Sequence, residues 1–235
     1  MSPSIYVFLY AFIAGVLPSL LWLFFFTRED TVHRKRSRVI FGCFIGGAIA
    51  VLISIFAEKI IADSVTDPTT RYTLWASFEE IAKFFIAGSI ILSTRVEEDP
   101  LEIMVYFASV ALGFSAIENT LFILGPLSNG SLAQAIITTN MRFIGASLVH
   151  VVSSSFIGFM IGYVYYRKWY IRIISAIAGL AGAVALHATF NLSIINATSA
   201  DTLKAFGWIW GAVVVLIILF EEVKAVHPVV PKKST

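Results

Sequence analysis

The side chains best suited to chemistry are two adjacent carboxylates and an amine inside an apolar stretch of the chain. Glu79, Glu80 and Lys83 lie in the run 75–93, whose other residues are mostly apolar. An ionisable group near the centre of a bilayer costs roughly 2.5 to 3.5 kcal/mol on insertion scales, so such groups usually face a protein interior or a wet cavity. Their presence indicates a functional site within a membrane-spanning helix.

Helical spacing places the lysine within reach of both carboxylates. Lys83 follows Glu79 by four positions and Glu80 by three, and residues at these two spacings are neighbours on a helix surface. The pattern predicts that the lysine neutralises one glutamate while the other stays available as a base. The pattern does not decide which glutamate is neutralised and which stays available as a base.

Further ionisable and amide side chains lie in three later apolar runs, 103–124, 141–166 and 173–195. They are Glu118 and Asn119, then Arg142 and His150, and finally His187 and Asn191. Peptide hydrolysis needs an activated water, an acid for the leaving amine and donors for the oxyanion. A carboxylate, an imidazole and an amide together can supply all three.

These residue types predict a mechanism that uses a glutamate. We expect one member of the glutamate pair to act as the general base, with His150 as its partner. His187 and Asn191 are then predicted to donate to the oxyanion, while Glu118 orients a histidine or holds the water.

A metal ion is the alternative to this mechanism. Catalytic zinc sites use three His, Cys or carboxylate ligands plus a water. The sequence has no His-Glu-x-x-His motif, and the ligands would come singly from separate helices, so no cofactor is favoured. If zinc is bound, the predicted ligands are Glu80, Glu118, His150 and His187.

The elements that must position these side chains are membrane helices. The chain has 235 residues, of which 58% are apolar and 14% charged, whereas soluble domains carry about 25% charge. Composition therefore predicts an all-α, polytopic membrane helix bundle that forms a single domain over residues 1–235, with its core at 75–195. About seven transmembrane helices are expected, at 5–26, 39–56, 75–93, 103–124, 141–166, 173–195 and 205–220.

Local signals predict where some of these helices end and how they pack. Asp67-Pro68 indicates a turn, and Gly125-Pro126 is predicted to break the fourth span. A short interfacial helix is expected at 132–137. Small residues at Gly42, Gly46 and Ala50 predict a face that packs closely against another helix. Two more such faces are predicted in later spans, by Ser154, Gly158 and Gly162, which follow His150 at four-residue intervals, and by Gly179 and Ala183 on the face of His187.

Charge asymmetry orients the chain. Of its 17 Lys and Arg residues, only Lys59, Arg71 and Lys204 fall in the outer loops if the amino terminus lies outside and the carboxyl terminus in the cytoplasm. The densest basic cluster, at 28–38, is then a cytoplasmic loop. In this topology the buried Glu and His residues share a layer roughly 6 to 14 Å below the outer boundary, which favours one site.

At these residues the sequence resembles the PrsW family of intramembrane proteases, over residues 75–195. The matching motifs are Glu79-Glu80-x-x-Lys83, Phe114-x-x-x-Glu118-Asn119, His150 and His187-x-x-x-Asn191. The related CAAX prenyl protease type II and Abi group has an arginine one position beyond the lysine and a histidine in place of the third glutamate, so prenylated substrates are not expected.

The resemblance implies an endopeptidase that cleaves membrane-anchored proteins, such as anti-sigma factors. It favours Glu79 as the base and places Phe114, Asn119 and Arg142 as supporting residues around the catalytic groups. The position of Arg142 near the start of its span, taken alone, favours an interface anchor. The expected partners are a single-span or membrane-anchored protein substrate and the lipid bilayer, in the plasma membrane. A net charge of +2 gives no reason to expect a nucleic acid.

Two other function classes fit buried ionisable groups. A proton- or ion-coupled transporter uses Glu, His and Lys as a relay, and a non-catalytic immunity or binding protein can keep such residues for structural reasons. Transporters commonly have duplicated halves and broken helices at the midplane. The sequence shows no repeat, and its polar layer lies off centre, so a protease is favoured.

Overall fold

The computed structural model describes residues 4–28, 37–94, 99–195 and 198–227, and within these ranges the chain forms helices and no strand. The helices are α1 (Ile5–Arg28), α2 (Ser37–Ser64), α3 (Pro68–Thr94), α4 (Pro100–Ser128), α5 (Leu132–Met141), α6 (Ser147–Tyr163), α7 (Trp169–Ile195) and α8 (Ser199–Lys224). A π-helical turn, Arg142–Ala146, joins α5 to α6.

Helix α4 lies at the centre of the bundle. It packs against α1, α2, α3, α5, α6 and α8, and every residue from Pro100 to Ala116 is buried. The helix is apolar or small on all of its faces, which is the pattern of a helix that is surrounded by protein. The other helices form a layer around α4, so residues on its inner turns can contact α3 and α6 together.

The all-α membrane bundle predicted from composition is confirmed. Six helical segments among the described residues are long and apolar enough to cross a bilayer, with α5, the π-helical turn and α6 counted as one segment. The chain is therefore an integral, multi-pass membrane protein. Helix α3 is long enough at 27 residues but fails on composition because it carries Glu79, Glu80 and Lys83, so its place as a seventh span stays a prediction.

Two predicted boundaries around the α2–α3 connection are wrong. Helix α2 continues eight residues past Phe56 to Ser64, and α3 begins at Pro68 instead of Trp75. Asp67 is a helix cap, since its carboxylate accepts a hydrogen bond from the Thr70 backbone N–H at 2.7 Å. Hydropathy shows where a helix leaves the apolar layer, and not where its hydrogen bonds end.

The prediction that Gly125-Pro126 breaks the fourth span is also wrong, because α4 continues to Ser128. Proline removes one backbone donor, but its own carbonyl still accepts from the Ser131 N–H at 3.0 Å, and the carbonyl of Gly125 accepts from Asn129 at 3.1 Å. The interfacial helix expected at 132–137 is the first part of α5, which continues through the π-helical turn into α6.

Close helix packing occurs at small residues, but not at all of those predicted. On α2, Gly46 lies against Ile86 of α3, while no neighbouring atom comes within 4 Å of a Cβ placed at Gly42. A closer approach occurs at Gly47, where a Cβ would overlap the carbonyl oxygen of Val110 in α4. The faces predicted on α6 and α7 do pack closely, at Gly158, Gly162, Gly179 and Ala183.

The side of the membrane on which each terminus lies stays a prediction. Most of the basic cluster at 28–38 lies outside the described residues, as do residues 95–98, which belong to the next loop predicted to be cytoplasmic, and residues 228–235 of the tail.

Close contact between α2 and α4 predicts the effect of enlarging a glycine. A Cβ at Gly113 would overlap the carbonyl oxygen of Phe44, so Gly113→Ala should reduce the free energy of unfolding by about 1 to 3 kcal/mol. Thermal unfolding of the purified protein in detergent measures this. Gly88→Ala is the control, because among the described residues no atom outside its own stretch of helix comes within 4 Å of the added Cβ. Equal unfolding midpoints for the two variants would contradict the helix crossing described here.

Candidate active site

Glu80 and Lys83 form a fully buried ion pair on α3. The Lys83 Nζ lies 2.5 Å from the Glu80 Oε1, and neither side chain is exposed. The same oxygen lies 2.8 Å from Nδ1 of His187, and the Ser154 hydroxyl donates to the other oxygen at 3.0 Å. Both oxygens of Glu80 are therefore bonded within the protein, so this carboxylate is suited to holding its neighbours in place.

The adjacent glutamate has a different environment. The Glu79 Oε2 is buried and has no hydrogen-bond partner, and it lies 3.9 Å from Nδ1 of His150 and 3.8 Å from Nε2 of His187. Consecutive helix residues point about 100° apart, so one glutamate faces a cavity while the other faces the protein interior. Glu79 is therefore the member of the pair that faces the cavity.

His150 of α6 is held by a carboxylate from α4. Its Nε2 lies 2.7 Å from Oε2 of Glu118, which also accepts a hydrogen bond from Nη2 of Arg142 at 2.5 Å. The Nε of Arg142 donates to the Asn119 Oδ1 at 2.5 Å, and the guanidinium lies 4.0 Å from the centre of the Phe122 ring. Arg142 thus fixes two adjacent polar residues of α4, although an interface anchor was the favoured interpretation of its position in the sequence.

The π-helical turn places Arg142 for these contacts. A π turn adds a residue to one turn of a helix and changes the direction of the side chains on either side of it. The next residue, Ser147, is buried, and its hydroxyl accepts from the Asn119 Nδ2 at 2.9 Å and from the Ser115 hydroxyl at 2.9 Å. The turn therefore lets a guanidinium and a hydroxyl on one helix reach the same asparagine.

The hydrogen-bond network assigns the tautomer of each histidine. The Lys83 ammonium donates to Nδ1 of His150 at 3.0 Å, so the proton of His150 lies on Nε2 and is donated to Glu118. His187 donates from Nδ1 to Glu80, which leaves its Nε2 as an acceptor that faces Glu79. The expected role of His187 as an oxyanion donor does not fit this tautomer.

A cavity of about 510 Å³ lies beside Glu79. It extends toward the end of the bundle that carries the α2–α3 turn, since Tyr72 and Ile195 are part of its wall. Glu80 and Lys83 lie behind this wall. The charged and amide side chains that line the cavity are Glu58, Glu79, Glu118, Arg142 and Asn191, together with both histidines.

The remaining expected residues lie at the edges of this network. The Phe114 ring packs against the His150 ring at 5.3 Å between centroids, and the Lys83 Nζ lies 4.6 Å from its centre. Asn191 is part of the cavity wall, one helical turn after His187. The structure thus brings together all of the polar residues that the sequence singled out, while their catalytic roles stay predictions.

Two polar residues of the site were missed by the sequence analysis. Glu58, which lies beyond the predicted end of the second span, is part of α2 and lines the same cavity as Glu79. Ser154 was assigned only to a packing face, yet it donates to Glu80. A signal existed for the serine, because it follows His150 by one helical turn. Glu58 had none, since it lies outside the apolar runs.

Most of this chain matches one known protein family. The sequence model described as the PrsW family intramembrane metalloprotease matches residues 35–225. The chain belongs to the PrsW family. The resemblance noted from the motifs is therefore confirmed over a longer stretch, which also includes α2 and α8.

Two named relatives in the PrsW family are bacterial proteins. Protease PrsW of Geobacillus kaustophilus (strain HTA426) is 26% identical over 152 residues, which cover 63% of this chain and 64% of that protein. Protease PrsW of Bacillus subtilis (strain 168) is 22% identical over 148 residues, covering 62% of this chain and 66% of the relative. The chain thus spans just under two thirds of the length of these relatives. No solved structure matches it.

Because PrsW proteins are described as metalloproteases, the site can be tested for its fit to a metal ion. One ligand atom from each of Glu79, His150 and His187 lies within 4.8 Å of the others. Two imidazoles and a carboxylate form a known ligand set of zinc peptidases. Each imidazole is also bonded by a carboxylate through its other nitrogen, by Glu118 and Glu80 respectively, as is usual for histidines that bind metals. The donor set fits.

This set differs from the ligands expected from the sequence, in that Glu79 replaces Glu80 and Glu118. The reason is orientation. Glu118 and Glu80 bond the outer nitrogens of the histidines, which are Nε2 of His150 and Nδ1 of His187, while Glu79 faces the inner nitrogens, Nδ1 of His150 and Nε2 of His187. Spacing along a helix cannot distinguish a carboxylate that would contact the ion from one that holds a ligand.

The two glutamates should differ in their effect on stability. Glu80→Gln removes one partner of a buried ion pair and should cost about 3 to 5 kcal/mol of unfolding free energy. Glu79 has no partner as close as Lys83 is to Glu80, since both histidines lie 3.8 to 3.9 Å from its Oε2. Glu79→Gln should therefore cost less than about 1 kcal/mol of unfolding free energy. Thermal unfolding in detergent measures both. A Glu79→Gln variant as unstable as Glu80→Gln would mean that Glu79 has a structural role.

Proposed function

We propose that this protein is an intramembrane endopeptidase that hydrolyses peptide bonds of membrane-anchored proteins. The observation that carries the proposal is the Glu79 Oε2, a buried carboxylate oxygen without a hydrogen-bond partner that faces a cavity between two histidines. A buried acceptor left unbonded costs stability, so its retention supports a functional role. Membership of the PrsW family supports the same activity.

Water activation is assigned to Glu79 and His187. A water between the Glu79 Oε2 and the His187 Nε2 meets two acceptors that lie 3.8 Å apart. Glu79 takes one proton of the water as its oxygen attacks the scissile carbonyl, while His187 accepts a hydrogen bond from the water. Glu79 then returns that proton to the leaving amine as the C–N bond breaks. Glu80 holds His187 in the tautomer that this step requires, because it accepts from Nδ1.

Oxyanion stabilisation is assigned to Asn191. Its side chain lies in the cavity wall near His187 and carries amide donors. Arg142 lines the same cavity and brings positive charge to it, while Glu118 and Asn119 fix its orientation. His187 is left out of this role because its cavity-facing nitrogen is an acceptor.

A divalent metal ion is consistent with the same residues. Glu79, His150 and His187 would hold it, and when bound it would supply Lewis-acid activation of the water and of the scissile carbonyl. Glu118 and Glu80 would then keep the two imidazoles oriented, as they do in the network described above. Zinc is the ion that this ligand set favours.

The expected substrate is a single-span or membrane-anchored protein, with anti-sigma factors as the class that the family resemblance suggests. Apolar side chains such as Val51, Phe114 and Ile194 share the cavity wall with the polar groups, so an apolar segment can lie next to the reactive carboxylate. A substrate helix must unwind locally to be cut, and its freed backbone groups must be satisfied by protein or water. The polar cavity residues can supply these bonds. We place this single-domain protein in the plasma membrane.

Loss of the reactive carboxylate should abolish cleavage. Glu79→Gln is expected to lower the cleavage rate of a single-span substrate in liposomes by at least about 100-fold, because the amide cannot accept the water's proton. Glu102→Gln is a matched control, since Glu102 is a buried carboxylate that bonds Tyr106 near the other end of α4. Gel analysis of the products measures both rates. An active Glu79→Gln variant would rule out this site.

Topology predicts where the cut falls. We propose that α3 is a seventh span and that the amino terminus lies outside, so the cavity lies nearer to the outer surface. Water can then enter from that side, and cleavage is expected near the extracytoplasmic end of the substrate's span or just outside it. Mass spectrometry of the products locates the cut. A cut in the cytoplasmic third of the span would contradict the proposed orientation.

A further inference from the structure

The two histidines of the site are not equally ready to bind a metal ion. The Nε2 of His187 faces Glu79 and is an acceptor. The corresponding nitrogen of His150, Nδ1, also faces Glu79 at 3.9 Å, but it lies 3.0 Å from the Lys83 ammonium. An imidazole nitrogen has one lone pair, so it cannot accept from an ammonium and bind a metal at the same time.

We propose that Lys83 competes with the metal ion for His150, so that the ion is bound by all three ligands only after the lysine has left Nδ1. This inference rests on the proposed function, because it concerns the same site. Glu79 and His187 are the ligands available at first, and His150 joins them last. Lys83 acts through His150 and is therefore a positioning residue.

The surroundings of Lys83 allow it to leave His150 without losing its counterion. Its Nζ lies 2.5 Å from the Glu80 Oε1 and 4.6 Å from the centre of the Phe114 ring, so both an ion pair and a cation–π contact stay within reach. The exchange therefore gives up one hydrogen bond and leaves no charge unpaired. A lysine at this position also supplies positive charge next to the buried carboxylates when no metal ion is bound.

Competition predicts that removing the amine increases affinity for metal ions. The probe is Co²⁺, titrated into purified, metal-free protein in detergent and followed by its visible absorption and by calorimetry. Lys83→Met should bind Co²⁺ roughly 10- to 100-fold more tightly than the parent chain, which is the range expected for one charge-assisted hydrogen bond. Glu102→Gln is the control, because it changes a buried carboxylate near the other end of α4 and leaves the site untouched, so its affinity should match that of the parent.

A double variant protects the test against misfolding. Glu80→Gln with Lys83→Met removes both members of the buried ion pair, so no charge is left unpaired. It should bind Co²⁺ more tightly than Glu80→Gln alone, because both variants lose the Glu80 carboxylate that bonds His187 and they differ only in the amine. The gain should disappear when His150→Ala is added to either variant, since the competition takes place at that imidazole. A gain that persists without His150 would mean that Lys83 acts by its charge alone, and this would overturn the inference.

The remaining outcomes separate this inference from the proposed function. Equal Co²⁺ affinity in the parent and Lys83→Met, or in Glu80→Gln and the double variant, would overturn the inference, as would a lack of Co²⁺ binding in all of these proteins. Cleavage that still depends on Glu79 would leave the proposed function intact in both cases. Tighter binding by Lys83→Met without any cleavage by the parent would support the competition and count against the endopeptidase.

Discussion

The structure depends on one interaction, the buried ion pair between Glu80 and Lys83. Two charges that lie this deep are tolerated only if each has its counterion and the remaining hydrogen-bonding groups are satisfied. Here the carboxylate also accepts from His187 and Ser154, and the ammonium also donates to His150. The pair therefore connects α3 to α6 and α7, and it sets the tautomers on which the chemistry of the site depends.

Helix α4 provides the second constraint. It can lie at the centre of the bundle because small residues on α2, α4 and α6 let backbones approach closely, at Gly47, Gly113 and Gly158. Glu118 and Asn119 follow this buried stretch, in the part of the helix that reaches the cavity. Close packing thus fixes the position of a carboxylate that orients His150, and the π-helical turn supplies Arg142 to hold that carboxylate in turn.

These constraints give the three carboxylates different environments. Glu80 and Glu118 each bond the outer nitrogen of a histidine, while Glu79 lies between the inner nitrogens and has an oxygen with no partner. Two carboxylates therefore hold the imidazoles, and the third, Glu79, faces the cavity. This arrangement supports a hydrolytic role with or without a metal ion, because Glu79 can act as a base or as a ligand.

The sequence by itself determined the class of protein and most of the members of its polar cluster. Ionisable residues in apolar runs are costly in a bilayer, so Glu79, Glu118 and His150 could be singled out without any structure. Local spacing could not decide which glutamate Lys83 would neutralise, because both lie within its reach along the helix. Only the tertiary structure decided this, by packing α6 and α7 against one side of α3, and it alone brought Glu58 to the site, since contacts between helices are not encoded in the periodicity of any one of them.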